Sequence, residues 1–191
     1  MAKILKRCYL LSIFALWPVV AISQVAPSDV GISLIQASER AVLGTKNEVI
    51  WTSIPLGPGL KKSLEPSLKR RRSLPDSLYI GRVNSPDGWR YLIPDEAPSR
   101  TETFSFILYL DVSGAIIDVD VLQYRENYGN EIDYPIFRKQ FRGRKKPEDI
   151  LFRRSIQNIS GATISARSIT YAVHDLLILV DAVGLNHEEK P

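Results

Sequence analysis

Two strand–turn–strand patterns followed by one long amphipathic helix most constrain how this chain can fold. In the clearer pattern, apolar and aromatic runs from Phe104 to Asp111 and from Ala115 to Tyr124 flank the turn Val112-Ser113-Gly114. An earlier pair of short runs, Leu78 to Val83 and Trp89 to Ile93, flanks a turn cluster rich in Asn, Ser, Pro and Gly. Both patterns predict antiparallel pairing within one sheet.

The long helix is predicted from Ile164 to Val183, with Gly184 as its stop. Its apolar residues recur four and three positions apart, at Ile169, Val173, Leu176, Val180 and Val183. His174 falls on another face, which predicts a solvent-exposed histidine. A shorter helix is predicted from Ile132 to Phe141. The expected fold class is α+β, with an antiparallel sheet packed against a long C-terminal helix and a short N-terminal helical extension.

The first 23 residues have the pattern of an export signal. Lys3, Lys6 and Arg7 precede an apolar run that ends at Ile22. Ala21-Ile22-Ser23 has the small-x-small pattern of a cleavage site before Gln24. The run from Cys8 to Ile22 has 15 residues, whereas a membrane-spanning helix needs about 20. We therefore expect an exported, periplasmic or extracytoplasmic protein, with an uncleaved N-terminal anchor as the alternative.

Composition narrows the chemistry of the exported product. The only cysteine, Cys8, lies in the signal, so the mature chain has no residue for a disulfide, an iron–sulfur cluster or thiol catalysis. Without the signal, 22 of the 25 Lys and Arg remain against 21 Asp and Glu. Nucleic acid is not expected as a partner of a nearly neutral exported protein.

The mature chain divides into an extension at residues 24–77, a domain at 78–185 and a tail at 186–191. The extension contains a predicted short helix at residues 30–43 and a loop rich in Pro and Gly. That loop carries the run Lys69-Arg70-Arg71-Arg72, which predicts a solvated loop or, as the alternative, a contact with anionic lipid.

Small and hydroxyl-bearing residues, Ser160-Gly161-Ala162-Thr163, stand directly before the long helix, and Ser165 follows. The first backbone N–H groups of a helix have no partner within it, so such an end can bind an anion such as a phosphate. Gly161 and Ala162 would keep the approach clear. The alternative is ordinary capping of the helix by Ser or Thr.

Three blocks follow one another along the chain: the strand–turn–strand from Leu110 to Val119 with its continuation from Val121 to Glu126, then Phe137 to Arg144, and then Ser160 to Ser165. On these blocks, the chain from about Thr103 to Gly184 resembles the FMN-binding domain family, which includes the flavin-carrying subunits of sodium-pumping NADH:quinone reductase and of Rnf-type complexes. The resemblance implies that a flavin transferase joins FMN covalently to the Thr163 hydroxyl. Within the same block, Ser160, Gly161, Ala162 and Ser165 would surround the phosphate.

Two departures from the family pattern concern the same site. Gln157 stands where family members often have an acid, six positions before the threonine. The glutamate block keeps only Glu126 and its first glycine, Gly129, which are the weaker candidates for shaping the flavin pocket. Tyr128, between them, is a candidate to lie against the flavin ring.

An electron carrier is the simplest function that the resemblance implies, with a membrane reductase or a haem protein as redox partner. With two histidines, no metal-ligand spacing and no Gly-x-Gly-x-x-Gly fingerprint, the sequence predicts no catalytic residues, no metal site and no complete reductase. A basic stretch could guide docking: Arg138, Lys139, Arg142, Arg144, Lys145, Lys146, Arg153 and Arg154. The alternative is a solvated basic face.

Two other classes stay open. One is a non-redox binding or interaction protein that keeps the fold without flavin. The other is a hydrolase with Ser160 or Thr163 as nucleophile, for which the nearby base would be His174, about 16 Å from Thr163 along the helix. Asp118 and Asp120 are expected as surface residues of a strand rather than as a catalytic pair.

Overall fold

The structure, a computed structural model, describes residues 48–70, 73–86 and 88–185 of the 191-residue chain. The predicted export signal and the predicted helix at 30–43 lie outside these residues. Five antiparallel strands form one sheet in the order β1-β2-β3-β4-β5. They are β1 Ile50–Pro55, β2 Ser77–Ser85, β3 Gly88–Pro98, β4 Thr103–Asp111 and β5 Ile116–Gln123.

Both predicted hairpins are confirmed, and β3 is longer than expected. The β3–β4 pair runs without a shift from Arg90 opposite Asp111 to Pro98 opposite Thr103. In β5, Val119 and Val121 face the main core while Asp118 and Asp120 lie on the other side of the strand. The alternation of apolar and acidic residues therefore determines which face of this strand is buried.

The sheet begins earlier than the sequence indicated. β1 pairs with β2 from Ile50 opposite Arg82 to Pro55 opposite Ser77, so part of the predicted extension is an edge strand. The next residues form helix α1, Pro58–Leu64, and a 3₁₀ turn, where an irregular connection was expected. Pro58 suits the first position of a helix because its missing N–H would be unpaired there.

The long C-terminal helix, α3, spans Thr163–Ala182 and confirms the prediction within one residue at each end. The main core lies between this helix and one face of the sheet. Its helix side includes Ile169, Val173, Leu176 and Val180, all buried as the periodicity predicted. The architecture is therefore α+β.

The helix predicted from Ile132 to Phe141 is wrong as one element. A 3₁₀ turn covers Asn130–Asp133, and the short helix α2 covers only Pro135–Arg138. Tyr134 between them is extended, with ψ 138°, because the residue before a proline avoids the helical region.

The N-terminal segment is fastened to α3 by Arg70, which was expected to be solvated. The Arg70 side chain is only 8% exposed, and its guanidinium pairs with Asp95 at 2.7 Å and with Asp175 at 3.2 Å. Asp175 also accepts the backbone N–H groups of Lys69 and Arg70 at 2.9 and 2.8 Å. This contact makes residues 69 and 70 part of the domain surface.

The prediction of a solvent-exposed His174 is also wrong. The residue is 6% exposed, and its Nδ1 lies 2.8 Å from Asp175 Oδ1. The apolar periodicity placed His174 off the core face because it took no account of the segment around Arg70 that covers this side of the helix. No helix within the described residues has the length and apolar character needed to cross a membrane.

Candidate functional site

The beginning of α3 presents Thr163 to solvent. Thr163 is the first residue of the helix and is exposed, and the preceding Ala162 is buried. Gly161 turns the chain into the helix with φ +87°, in the left-handed region that favours glycine. The sequence Gly-Ala-Thr therefore provides a turn, a buried anchor and an exposed hydroxyl in that order.

No side chain caps this end of α3, so capping by Ser or Thr is not the role of the cluster. Ser160 is exposed, and the described residues offer no hydrogen bond to the backbone N–H groups of Thr163, Ile164 and Ser165. The first bond of the helix runs from Ala166 N–H to the Ala162 carbonyl at 2.8 Å. Three donors at the positive end of a 20-residue helix are available to an anion.

Asn158 holds the Thr163 hydroxyl in place. Its side-chain Nδ2 donates to Thr163 Oγ1 at 2.9 Å. This bond fixes the direction of the hydroxyl oxygen while leaving the hydroxyl hydrogen free to point outward. Sequence reasoning missed Asn158, because an asparagine five residues before a helix has no fixed meaning without the fold of the loop.

Gly129 and Ser165 meet at the Tyr124 hydroxyl. That hydroxyl donates to the Tyr128 carbonyl at 3.0 Å and lies 2.8 Å from Ser165 Oγ, so Ser165 donates to it. Gly129 has φ +97°, and a Cβ there would overlap the Tyr124 hydroxyl and lie 3.2 Å from Ser165 Oγ. Ser165 is buried and engaged in this contact, rather than open to a ligand as predicted.

Glu131 lies against Gly161 at the mouth of the helix. A Cβ on Gly161 would overlap Glu131 Oε1 and come within 2.9 Å of the carboxyl carbon. Glu131 Oε2 is buried and has no hydrogen-bond partner within the described structure. A buried carboxylate oxygen is costly without a donor, so this atom marks a place where a ligand hydroxyl would be favourable.

The Glu126 side chain is hydrogen-bonded to the turn between β3 and β4. Its Oε1 accepts a hydrogen bond from the Ser99 hydroxyl and from the backbone N–H groups of Thr101 and Glu102 at 2.9 and 3.0 Å. The Ser99 bond, followed by the two backbone bonds, lowers the pKa of Glu126 to about 2. Its visible role is to fasten the glutamate loop to the sheet as a carboxylate.

Gln157 is held by hydrogen bonds that an acid in its place could not all make. Its backbone N–H donates to Gln140 Oε1 at 2.7 Å, and its side-chain amide donates to the Arg154 carbonyl at 2.6 Å. A carboxylate has no hydrogen to give to that carbonyl. The departure from the family pattern at this position is therefore coupled to the fold of the loop before Ser160.

Tyr128, the candidate for contact with a flavin ring, points into solvent and is 84% exposed. Three other large apolar side chains are also exposed: Tyr134, Ile136 and Ile164. Tyr134 follows Glu131 by one turn, and Ile164 follows Thr163 directly. The loop before α2 and the first turn of α3 thus both present apolar side chains to solvent.

The predicted basic docking stretch is divided by the fold. Arg138 is half-buried and pairs with Asp118 at 2.6 Å and Asp120 at 2.9 Å. These carboxylates are therefore ion-paired residues of the strand, 20% and 14% exposed, rather than the surface residues expected. Arg144 donates to the backbone carbonyls of Gln140 and Ser155. The members that are exposed are Lys139, Arg142, Lys145, Lys146, Arg153 and Arg154.

The hydrolase alternative finds no support in the position of its base. His174 is buried, and its Nδ1 is directed to Asp175. Thr163 lies eleven residues earlier in the same continuous helix and is exposed. The two side chains cannot share a proton over about 16 Å of helix.

Residues 102–178 match the family model described as FMN-binding domain, so the resemblance seen in the sequence is confirmed for this part of the chain. Among solved structures, the chain is similar to one subunit of the Na⁺-translocating NADH-quinone reductase from Parabacteroides distasonis. The match covers 61% of this chain and 65% of that chain, at 13% sequence identity and a TM-score of 0.44. No curated protein sequence matches the chain.

Proposed function

We propose that this chain, whose residues 102–178 match the FMN-binding domain model, carries FMN covalently on Thr163 and transfers electrons outside the cytoplasm. The observation that carries the proposal is the exposed Thr163 hydroxyl at an uncapped helix end, oriented by Asn158. The covalent bond, the export and the redox partners go beyond the family match.

The residues present fit a phosphate and its attached sugar chain. Three unpaired backbone N–H groups at the start of α3 face a group bonded to Thr163 Oγ1. Gly161 has no side chain to block the approach, and the buried, unpartnered Glu131 Oε2 can accept a ribityl hydroxyl. The Glu131 carboxylate would not favour the phosphate itself, so these two groups must bind different parts of the cofactor.

Attachment forms a bond between Thr163 Oγ1 and the FMN phosphorus of FAD and breaks the pyrophosphate bond. AMP leaves, and the hydroxyl proton of Thr163 is released. A covalent bond matters because a helix end contributes only about 0.3–1 kcal/mol to binding of an anion, whereas micromolar retention requires about 8 kcal/mol. The helix end then stabilises the phosphodiester charge.

When bound, FMN supplies one- and two-electron redox chemistry. The chain contributes the position and electrostatics of the group through Thr163, Asn158 and the start of α3. A membrane reductase or a haem protein is the proposed redox partner. The exposed part of the basic stretch, which includes Lys139 and Lys145, would attract an acidic partner surface.

Co-expression with a flavin transferase tests the proposal. Intact mass should increase by one FMN less one water, and the protein band should fluoresce after denaturing electrophoresis. Thr163→Ala should lose both signals. Ser67→Ala is the control, since it removes an exposed hydroxyl outside the family block and should keep both.

A native chain without added mass would favour the flavin-free binding protein, to which Gln157 already points. Gln157→Asp is then the next variant, with its thermal unfolding measured in parallel because the bond to the Arg154 carbonyl is lost. Gain of flavin in that variant would assign the defect to recognition by the transferase. Flavin on both Thr163→Ala and the native chain would refute the attachment site.

A further inference from the structure

A cleft of about 520 Å³ opens between α3 and the end of β3, and Tyr128 is not among the residues that line it. Its volume is in the range of small-molecule and cofactor sites, which is roughly 300–1,000 Å³. Ala97 and Pro98 at the end of β3 and Ala172 on α3 provide apolar walls. Lys69, from the segment fastened by Arg70, closes one side.

Arg167 and Tyr171 line this cleft from the same side of α3 that carries Thr163. The three residues follow one another at intervals of four along one helix. They therefore form a row that covers about 6 Å of helix from Thr163 to Arg167 and about 12 Å to Tyr171. A group tethered to Thr163 would reach the cleft by running along this row.

The charges of the cleft favour an electron-rich ring edge. Arg167 is exposed and makes no ion pair within the described residues. Burial lowers the pKa of Lys69, and nearby Arg154 lowers it further, while Asp175 and Glu148 act in the opposite direction. Arg70 is already paired with Asp95 and Asp175, and the carboxylate that lines the cleft is Glu96.

We propose that the cleft between α3, the end of β3 and Lys69 holds the isoalloxazine ring of the cofactor, which rests on the proposed function for the tether. Tyr171 would stack on the ring, and Arg167 would face its carbonyl-bearing edge. An apolar wall suits the dimethylbenzene end, and a cation near the pyrimidine end favours the negative charge that arrives with electrons.

This position of the flavin ring differs from the one in which the ring lies against the exposed Tyr128. Tyr128 lies in the glutamate loop, whereas Tyr171 lies two turns into α3. A tyrosine in contact with a flavin quenches its fluorescence, so the two positions are distinguishable. Tyr171→Leu and Tyr128→Leu form a matched pair for this purpose.

The test uses the flavin-loaded full chain and reports three quantities: intact mass, flavin fluorescence and midpoint potential. Mass should show one attached FMN in every variant, since Thr163 is intact. Fluorescence should rise in Tyr171→Leu and stay the same in Tyr128→Leu. Arg167→Gln should make reduction less favourable by about tenfold, which is about 30 mV for a two-electron couple.

Brightening in Tyr128→Leu alone, or in neither variant, would overturn the placement. If the native chain carries no flavin, titration of the unmodified protein with lumiflavin, which has the ring without the phosphate, tests the cleft by itself. Saturable quenching that is weakened by Tyr171→Leu supports the cleft even when attachment fails. Equal binding by native and Tyr171→Leu protein refutes it.

Discussion

Replacing Arg70 by Met should destabilise the protein strongly, because Arg70 is a buried cation between two buried carboxylates. The exposed fractions of the side chains are 8% for Arg70, 9% for Asp95 and 0% for Asp175. Met keeps much of the apolar stem but leaves both carboxylates without their cation. Breaking a buried ion pair from one side typically costs about 3–5 kcal/mol, a large share of the roughly 5–15 kcal/mol that stabilises a domain.

Lys61→Met is the matched control from the same N-terminal segment. Lys61 also makes a close ion pair, at 2.6 Å with Asp76, but that carboxylate is fully exposed. Solvent and salt screen such a pair, so its loss should barely change the stability. The two variants thus compare the loss of a buried ion pair with the loss of a solvent-exposed one.

Urea unfolding followed by circular dichroism gives the free energy of unfolding of each variant. Limited proteolysis adds a local reading, since release of the segment from α3 in Arg70→Met should expose residues 56–70 to cleavage. A loss in Arg70→Met that is no larger than in Lys61→Met would refute the reasoning. If Arg70→Met does not fold, Arg70→Lys should give an intermediate loss, because it keeps the charge but cannot bond both carboxylates.

Two further predictions concern the loop that precedes α2. Gly129→Ala should lower the melting temperature more than Gly143→Ala does: both glycines have positive φ, but only a Cβ at 129 overlaps the Tyr124 hydroxyl. Equal losses would show that the loop adapts. Glu126 has a pKa of about 2, below its ordinary 4.5, so the stability it adds is complete above about pH 4.5 and is lost as the pH falls toward 2. The difference in stability between native protein and Glu126→Gln should therefore close over that window in acid unfolding, and a difference that persists at pH 2 would contradict the assignment.

Local patterns predicted the parts of the fold that depend on neighbours in the chain. The turn at residues 112–114 and the alternation around Val119 indicated a hairpin and its buried face, and both are present. The four-and-three spacing from Ile169 gave the core face of α3. The break at Pro135 could have been foreseen from the restriction that a proline places on the residue before it.

Contacts between distant segments could not be foreseen in the same way. His174 and Asp175 read as a polar strip of the helix, because the residue that covers them, Arg70, is 105 positions from Asp175. The role of Asn158 depends on a loop that brings its amide to Thr163. The motif from Ser160 to Thr163 was recognisable in the sequence. The side chains that orient and surround it, such as Asn158, could be identified only from the fold.

The link between Arg70 and α3 also sets an order of events during synthesis of the chain. Arg70 emerges early, while its helix partners, the Ala172 carbonyl and the Asp175 carboxylate, emerge more than 100 residues later. The sheet strands pair with sequence neighbours and can form as they appear, but the N-terminal segment cannot dock until nearly the whole chain is available. A chain that ends before residue 172 lacks both partners. The side of the cleft that Lys69 forms can therefore be in place only after the C-terminal helix is complete.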